Sequence, residues 1–172
     1  CYVWENQGNK YLEGLAGLWC TALGYGNQEV IDTASEQMGK LTFSHMFGGK
    51  THQVAIDLAD KLAEMIPMKD PVLSFGNSGS DANDTHIKLL RYYHEAIGKP
   101  ECRKIISRER SYHGVTVAAA SLTGLPVTQN HFDLPVDALG ILHTDHPHYY
   151  RGKQEGSQRQ NLLIVLLVTL NP

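Results

Sequence analysis

The strongest constraint on this chain is a junction near its middle. Val72-Leu73-Ser74-Phe75 reads as a short buried strand and Gly76-Asn77-Ser78-Gly79-Ser80 as a turn; a helix is expected from Asp81 to about Ile97, stopped by Gly98-Lys99-Pro100. Such a junction joins an apolar strand to a covering helix, and it leaves the first N–H groups of that helix without intrahelical partners. The helix dipole adds partial positive charge at the same place, so the turn suits an anion. Glycine allows a phosphate to approach the backbone closely, and serine hydroxyls add donors. A capped turn has the same local composition, because Ser, Asp and Asn are also the usual N-cap residues. Two rival motifs fail on spacing. No lysine follows Gly79 as Walker A requires, and Ser80 stands where the G-x-S-x-G elbow needs glycine.

The rest of the pattern extends this architecture. Gly14, Gly17, Gly24 and Gly26 punctuate an opening of short strands and tight turns. Val30, Ile31, Ala34, Met38 and Leu41 follow helical spacing behind Asn27 as N-cap. After a loop at 43–51, Val54, Ile56, Leu58, Leu62, Met65 and Ile66 predict a second amphipathic helix ended by Pro67. On the helix after Asp81, the residues Ala82, Leu89, Leu90, Tyr93 and Ile97 share one face, expected to pack. Lys104-Ile105-Ile106-Ser107 predicts a second strand, and Val117 to Leu122 an Ala-rich helix. Alternating strands and helices imply an α/β fold with a mostly parallel sheet flanked by helices. Ser111-Tyr112-His113-Gly114 follows the second strand directly, at the strand end where parallel sheets bind ligands. An aromatic ring there is able to lie on a planar ligand, gaining roughly 0.5–1.5 kcal/mol beyond area burial, or simply to pack on the sheet.

Composition removes several function classes. With 42% hydrophobic and 19% charged residues and a net charge of -3, the chain reads as globular, and no basic cluster invites nucleic acid. Cys1, Cys20 and Cys102 have no metal-type or redox-type spacing and read as reduced thiols of a cytoplasmic protein, with any upstream targeting signal invisible. His143-Thr144-Asp145-His146-Pro147-His148 offers metal-binding residue types. However, Pro147 breaks a helical presentation and no second cluster completes a ligand set, so no metal is expected. The apolar run 162–168 is shorter than the about 20 residues of a membrane span and reads as a buried strand without a neighbour. The start at Cys1 and the final Asn171-Pro172 read as cut edges.

Taken in order, Gly14-Leu15-Ala16-Gly17-Leu18-Trp19-Cys20, Gly24-Tyr25-Gly26, Asn77-Ser78-Gly79-Ser80-Asp81-Ala82-Asn83-Asp84 and Tyr112-His113-Gly114 resemble the class III aminotransferases, nearest to the omega-amino-acid:pyruvate type. The similarity runs from about Tyr11 to Tyr150. It implies a partial fold type I enzyme, with 1–42 as part of the small domain and 43–172 as an incomplete cofactor-binding domain whose tail from about Ser157 is aberrant. It also implies pyridoxal 5'-phosphate as cofactor, a homodimer with interfacial active sites, and amino transfer from an amine or amino acid to a 2-oxo acid. By the resemblance, Ser78, Gly79 and Ser80 hold the cofactor phosphate, and Tyr112, with His113 and Gly114 beside it, covers the pyridine ring. Trp19 lines the substrate pocket, and Phe47 reaches a pocket across the dimer. The family's Schiff-base lysine and its pyridine-nitrogen aspartate lie downstream, and none of Lys10, Lys40, Lys50, Lys61, Lys69, Lys88, Lys99, Lys104 and Lys153 stands in the matching context. The chain alone is therefore expected to be inactive. The alternative is a truncated, non-catalytic protein that binds a phosphate-bearing ligand or dimerises.

Overall fold

The computed structural model describes residues 2–146 and His148, and its contacts divide the chain into two compact units between Leu73 and Ser74. The expected strand at 162–168, the aberrant tail from about Ser157 and Lys153 lie outside the described residues. Among the described residues no helix is long and apolar enough to cross a membrane.

The first unit opens with a hairpin. β1 (Tyr2–Trp4) pairs antiparallel with β2 (Lys10–Leu12), Tyr2 opposite Leu12, and the Lys10 Nζ stands 3.9 Å from the centre of the Tyr2 ring. A single turn, α1 (Ala16–Trp19), follows with left-handed backbone at all four residues, φ running from 49° to 67°. Two amphipathic helices complete the unit at the places their spacing predicts. α2 (Gln28–Lys40) is capped by Asn27, whose side chain accepts from the Val30 amide at 3.2 Å. α3 (Gln53–Met65) follows His52, whose Nδ1 accepts from the Ala55 amide at 3.3 Å, and ends two residues before Pro67. The apolar stripes of both helices lack cover among the described residues: nothing in α2 is buried, and in α3 only Ala55 is.

Two expectations are corrected at the unit boundary and beyond it. Residues 72–75 form no strand, and Val72 is 96% exposed. A strand exists only through its neighbours' hydrogen bonds, and no described strand pairs with this segment. The helix that follows, α4 (Gly79–Ala96), starts two residues earlier than Asp81 because Ser78 and Asp81 form a reciprocal cap. The Ser78 Oγ accepts from the Asp81 amide at 3.1 Å, and the Asp81 carboxylate reaches back to the Asn77 amide at 3.2 Å. The face expected to pack is the second correction. Leu89, Leu90, Tyr93 and Ile97 are exposed, and the buried residue of α4 is Ile87.

β3 (Ile105–Arg108) lies one residue beyond its expected position and pairs in parallel with β4 (Ile141–Thr144), Ile105 opposite Ile141. α5 (Val117–Leu122), the Ala-rich helix the sequence predicts, lies between these two strands in the chain. The core of this unit centres on α5, where Ala119, Ala120, Ser121 and Leu122 are buried, together with Ile87 and Ser107. β4 was not foreseen, since its last residues belong to the His-rich stretch. Once paired with β3, His143 turns its Nε2 to the Leu122 carbonyl oxygen at 3.1 Å.

Candidate functional site

The start of α4 and the segment 111–124 form one hydrogen-bonded body. Ser80, Asn83 and Asp84 stand at helical spacing on one face of α4, and each meets a different point of that segment. The Val115 amide donates to the Ser80 Oγ at 3.1 Å, and the Asn83 Nδ2 donates to the His113 carbonyl oxygen at 2.7 Å. The Asp84 Oδ1 accepts from the Thr116 hydroxyl at 2.8 Å and from the Ala119 amide at 3.1 Å. Lower in the body, the fully buried Thr123 accepts from the His113 amide at 2.9 Å. Tyr112 therefore enters a loop whose next residues are pinned to the first turns of α4, while its own ring is exposed.

Gly114 makes the close approach feasible. It is buried, its φ is +126°, and an added Cβ would fall 2.2 Å from the Ser80 Oγ and 2.9 Å from the Ala119 Cβ. Gly124 is equally constrained, because a Cβ there would meet the Arg108 carbonyl oxygen at 2.2 Å.

The arrangement leaves donors for an oxyanion. The amides of Gly79 and Ser80 have no acceptor among the described residues, being the first two of α4. The Ser80 oxygen accepts from Val115 but keeps its own proton to donate. A Cβ placed on Gly79 would meet open space, so a ligand atom is free to come up to its backbone. Two amides and one hydroxyl at the positive end of an 18-residue helix match the size and charge of a phosphate group. The residues present thus fit a phosphorylated cofactor at this end. Ser78 spends its oxygen on the cap.

Trp19 and Phe47, expected from the sequence to line a substrate pocket, both belong to the first unit. Trp19 ends the left-handed turn α1, and its ring is 77% exposed. Glu13 holds that turn. Its carboxylate accepts from the Leu15 amide at 2.8 Å, from the Gly17 amide at 3.1 Å and from the Tyr25 hydroxyl at 3.4 Å. The Leu15 hydrogen bond leads in holding this carboxyl below the ordinary range, with the Gly17 amide and Tyr25 adding to it. Phe47 lies exposed in the 43–51 loop, its amide donating to the His45 Nδ1 at 3.3 Å.

Sequence reading singled out Ser78 to Ser80 and Tyr112 to Gly114 but gave no role to Asn83, Asp84, Thr123 or Glu13. The first two were signalled by their spacing three and four residues from Ser80. Thr123 and Glu13 had no such signal, because their partners are mostly backbone groups whose positions depend on the fold. Among the described residues no three His, Cys, Asp or Glu side chains converge as metal ligands, and Cys20 and Cys102 are exposed free thiols.

Comparisons with known proteins bear on this site. The family model Aminotransferase class-III matches residues 1–166. The chain is 48% identical over 151 residues to "Gamma aminobutyrate transaminase 1, mitochondrial" of Solanum lycopersicum, which covers 87% of this chain and 29% of the relative. It is 43% identical over 160 residues to "Gamma aminobutyrate transaminase 3, chloroplastic" of the same plant, covering 92% of the chain and 30% of the relative. Among solved structures, the omega transaminase from Pseudomonas jessenii in complex with PMP superposes with a TM-score of 0.90 at 47% identity, over 98% of this chain and 37% of that one. A second, described as a transaminase with L-ala, gives a TM-score of 0.90 at 44% identity, over 99% and 42%. The chain spans about 30% of the length of the curated relatives.

Proposed function

This chain belongs to the class III aminotransferases and carries part of their fold type I architecture, and on that premise we propose that it forms the phosphate end of a pyridoxal 5'-phosphate site. The whole protein, in this reading, moves an amino group from an amine or amino acid to a 2-oxo acid. When bound, the cofactor supplies an electron sink for the substrate carbon that loses its proton. The chain's own residues bind and orient. The Gly79 and Ser80 amides and the Ser80 hydroxyl grip the phosphate, while Ser78 caps the helix that presents them. Tyr112 covers the ring, with His113 and Gly114 carrying it to that place. Trp19 and Phe47 line the substrate pocket, Phe47 from the second subunit of a homodimer. Residues 1–42 belong to the small domain and 43–172 to the incomplete cofactor-binding domain.

Acid–base chemistry at the substrate carbon needs the family's Schiff-base lysine, and no lysine of this chain occupies its context. The 172-residue chain is therefore a binding portion without the reacting group. The exposed thiols of Cys20 and Cys102 favour a reducing compartment such as the cytoplasm. The plant relatives bear organellar names.

One observation carries the reading: the 3.1 Å hydrogen bond from the Val115 amide to the Ser80 Oγ, which brings the phosphate motif and the tyrosine loop together. Equilibrium dialysis of the purified chain against pyridoxal phosphate tests it. Saturable binding is expected, displaced by inorganic phosphate and weakened about tenfold or more by Ser80→Ala, since a hydrogen bond to a charged group is worth about 1.5–3 kcal/mol. Binding indifferent to both Ser80→Ala and Tyr112→Ala contradicts it. Borohydride is expected to fix no pyridoxyl group on a unique lysine. The exposed face of Leu89, Leu90, Tyr93 and Ile97 supports the second reading, a non-catalytic ligand-binding or dimerising protein. Saturable binding without dependence on Ser80, joined to a dimer in sedimentation, selects that reading.

A further inference from the structure

We propose that Asp84 is a positioning residue for the cofactor-binding segment: from α4 it caps α5 and so fixes where Tyr112, His113 and Gly114 stand against Ser80. The inference rests on the cofactor reading above but concerns a residue that touches no ligand.

The case begins with the shortness of α5. A helix of six residues does not sustain itself, because nucleation costs more than one or two turns return. Its start needs a cap, yet its own N-cap residue, Thr116, makes no side-chain cap bond. The missing acceptor arrives from elsewhere in the sequence. The Asp84 Oδ1 takes the Ala119 amide at 3.1 Å, the third amide of the helix, which a local cap would ordinarily satisfy. The same oxygen takes the Thr116 hydroxyl at 2.8 Å, which turns the would-be capping side chain into a second anchor. A carboxylate at that end also meets the favourable end of the helix dipole.

The cap is coupled to the site by chain length. Only Val115 and Thr116 separate Gly114 from α5, and the Val115 amide is the one that donates to the Ser80 Oγ. Ser80 and Asp84 are one helical turn apart on α4. The two bonds therefore clamp the same short stretch from the same face, with Asn83 holding the His113 carbonyl between them. Without Asp84 the start of α5 is free to fray, and the Ser80 hydroxyl is left to hold the loop as well as a phosphate.

Hydrogen exchange of the 172-residue chain, read by mass spectrometry without ligand and paired with pyridoxal phosphate dialysis, tests this on Asp84→Ala and Asp84→Asn. Exchange over 115–120 is expected to rise about tenfold in Asp84→Ala, as for a lost charged cap, with a weakening of cofactor binding of similar size. Asp84→Asn keeps an oxygen acceptor and is expected to return both readouts to within about threefold of the parent. Unchanged exchange over 115–120 overturns the cap. Faster exchange with unchanged cofactor affinity overturns the positioning role and leaves Asp84 purely structural. Failure of the parent chain to bind pyridoxal phosphate is a different result, contradicting the site reading itself while the exchange data still judge the cap. Should Asp84→Ala fail to fold by circular dichroism, Thr116→Ala, which deletes one of the two donors, carries the same comparison with an effect of about threefold.

Discussion

The two faces of α4 differ in a way that reverses the usual picture of an amphipathic helix. One face, Ser80, Asn83, Asp84, Ile87 and Arg91, is mostly polar and meets the body of its unit. Its side chains end on the Val115 and Ala119 amides, the His113 carbonyl, and the carbonyls of Ala138 and Leu139, which Arg91 reaches at 3.1 and 3.3 Å. The other face, Leu89, Leu90, Tyr93 and Ile97, is apolar and exposed. The inward face is polar because what packs against it is loop and helix-end backbone, whose groups lack partners in a ladder or helix and must find side chains. The apolar face marks surface still to be covered: its large side chains are 46–57% exposed and forgo only part of the roughly 1.5–3 kcal/mol that full burial of such a side chain contributes. Local completeness and global incompleteness thus coexist on one helix.

Breaking the polar side should cost most at Gly114. Gly114→Ala places a methyl group 2.2 Å from the Ser80 Oγ at a φ of +126°. Strain and overpacking together should remove about 3 kcal/mol or more of stability in urea denaturation. A loss below about 0.5 kcal/mol, the ordinary scatter of surface changes, would show that the two motifs are not pressed together. Adjacent residues then sharpen the contrast. Arg91→Met leaves two carbonyls without their donor and should cost about 1–2 kcal/mol, whereas Leu90→Gln should change stability by less than about 0.5 kcal/mol and raise solubility. Equal effects of the two would dissolve the distinction between the faces.

How much of this was legible in the sequence follows from the same contrast. Short-range signals were readable: Asn27 as a cap, Pro67 as a stop, the limits of α5, and the glycine–serine turn before α4. Family resemblance then joined that turn to Tyr112. What failed depended on partners distant in the chain. Val72-Leu73-Ser74-Phe75 has strand composition but no described strand to pair with, and the apolar stripe of α4 shows which residues seek cover without saying what supplies it. β4 was hidden because His143 and Thr144 look like solvent-facing polar residues until β3 is beside them. Asn83 and Asp84 were signalled as sharing a face with Ser80, but their partners, the His113 carbonyl, the Thr116 hydroxyl and the Ala119 amide, lie 30 to 35 residues away and belong to the fold.

The smallest expected effect belongs to the first unit. The Glu13 carboxyl is held below its ordinary value of 4.5 in the folded chain, first by the Leu15 amide. A depressed folded value means that its contribution is present above about pH 4.5 and is lost as pH falls through the lower folded value. Glu13→Gln should therefore flatten the acid limb of a stability–pH curve below that point, slightly, because the group is solvent-screened. A variant whose acid limb is as steep as the parent's contradicts the part given to Glu13 in holding the Trp19 turn.

The central claim is that one phosphorylated aromatic ligand engages the start of α4 and Tyr112 together. Nitrogen-15 amide and carbon-13 aromatic spectra of the chain, titrated first with inorganic phosphate and then with pyridoxal phosphate, examine it residue by residue. Saturable shifts of the Gly79 and Ser80 amides with both compounds, joined by the Tyr112 ring signals only with pyridoxal phosphate, are predicted. Shifts that leave Gly79 and Ser80 unmoved, or that move Tyr112 without them, contradict it.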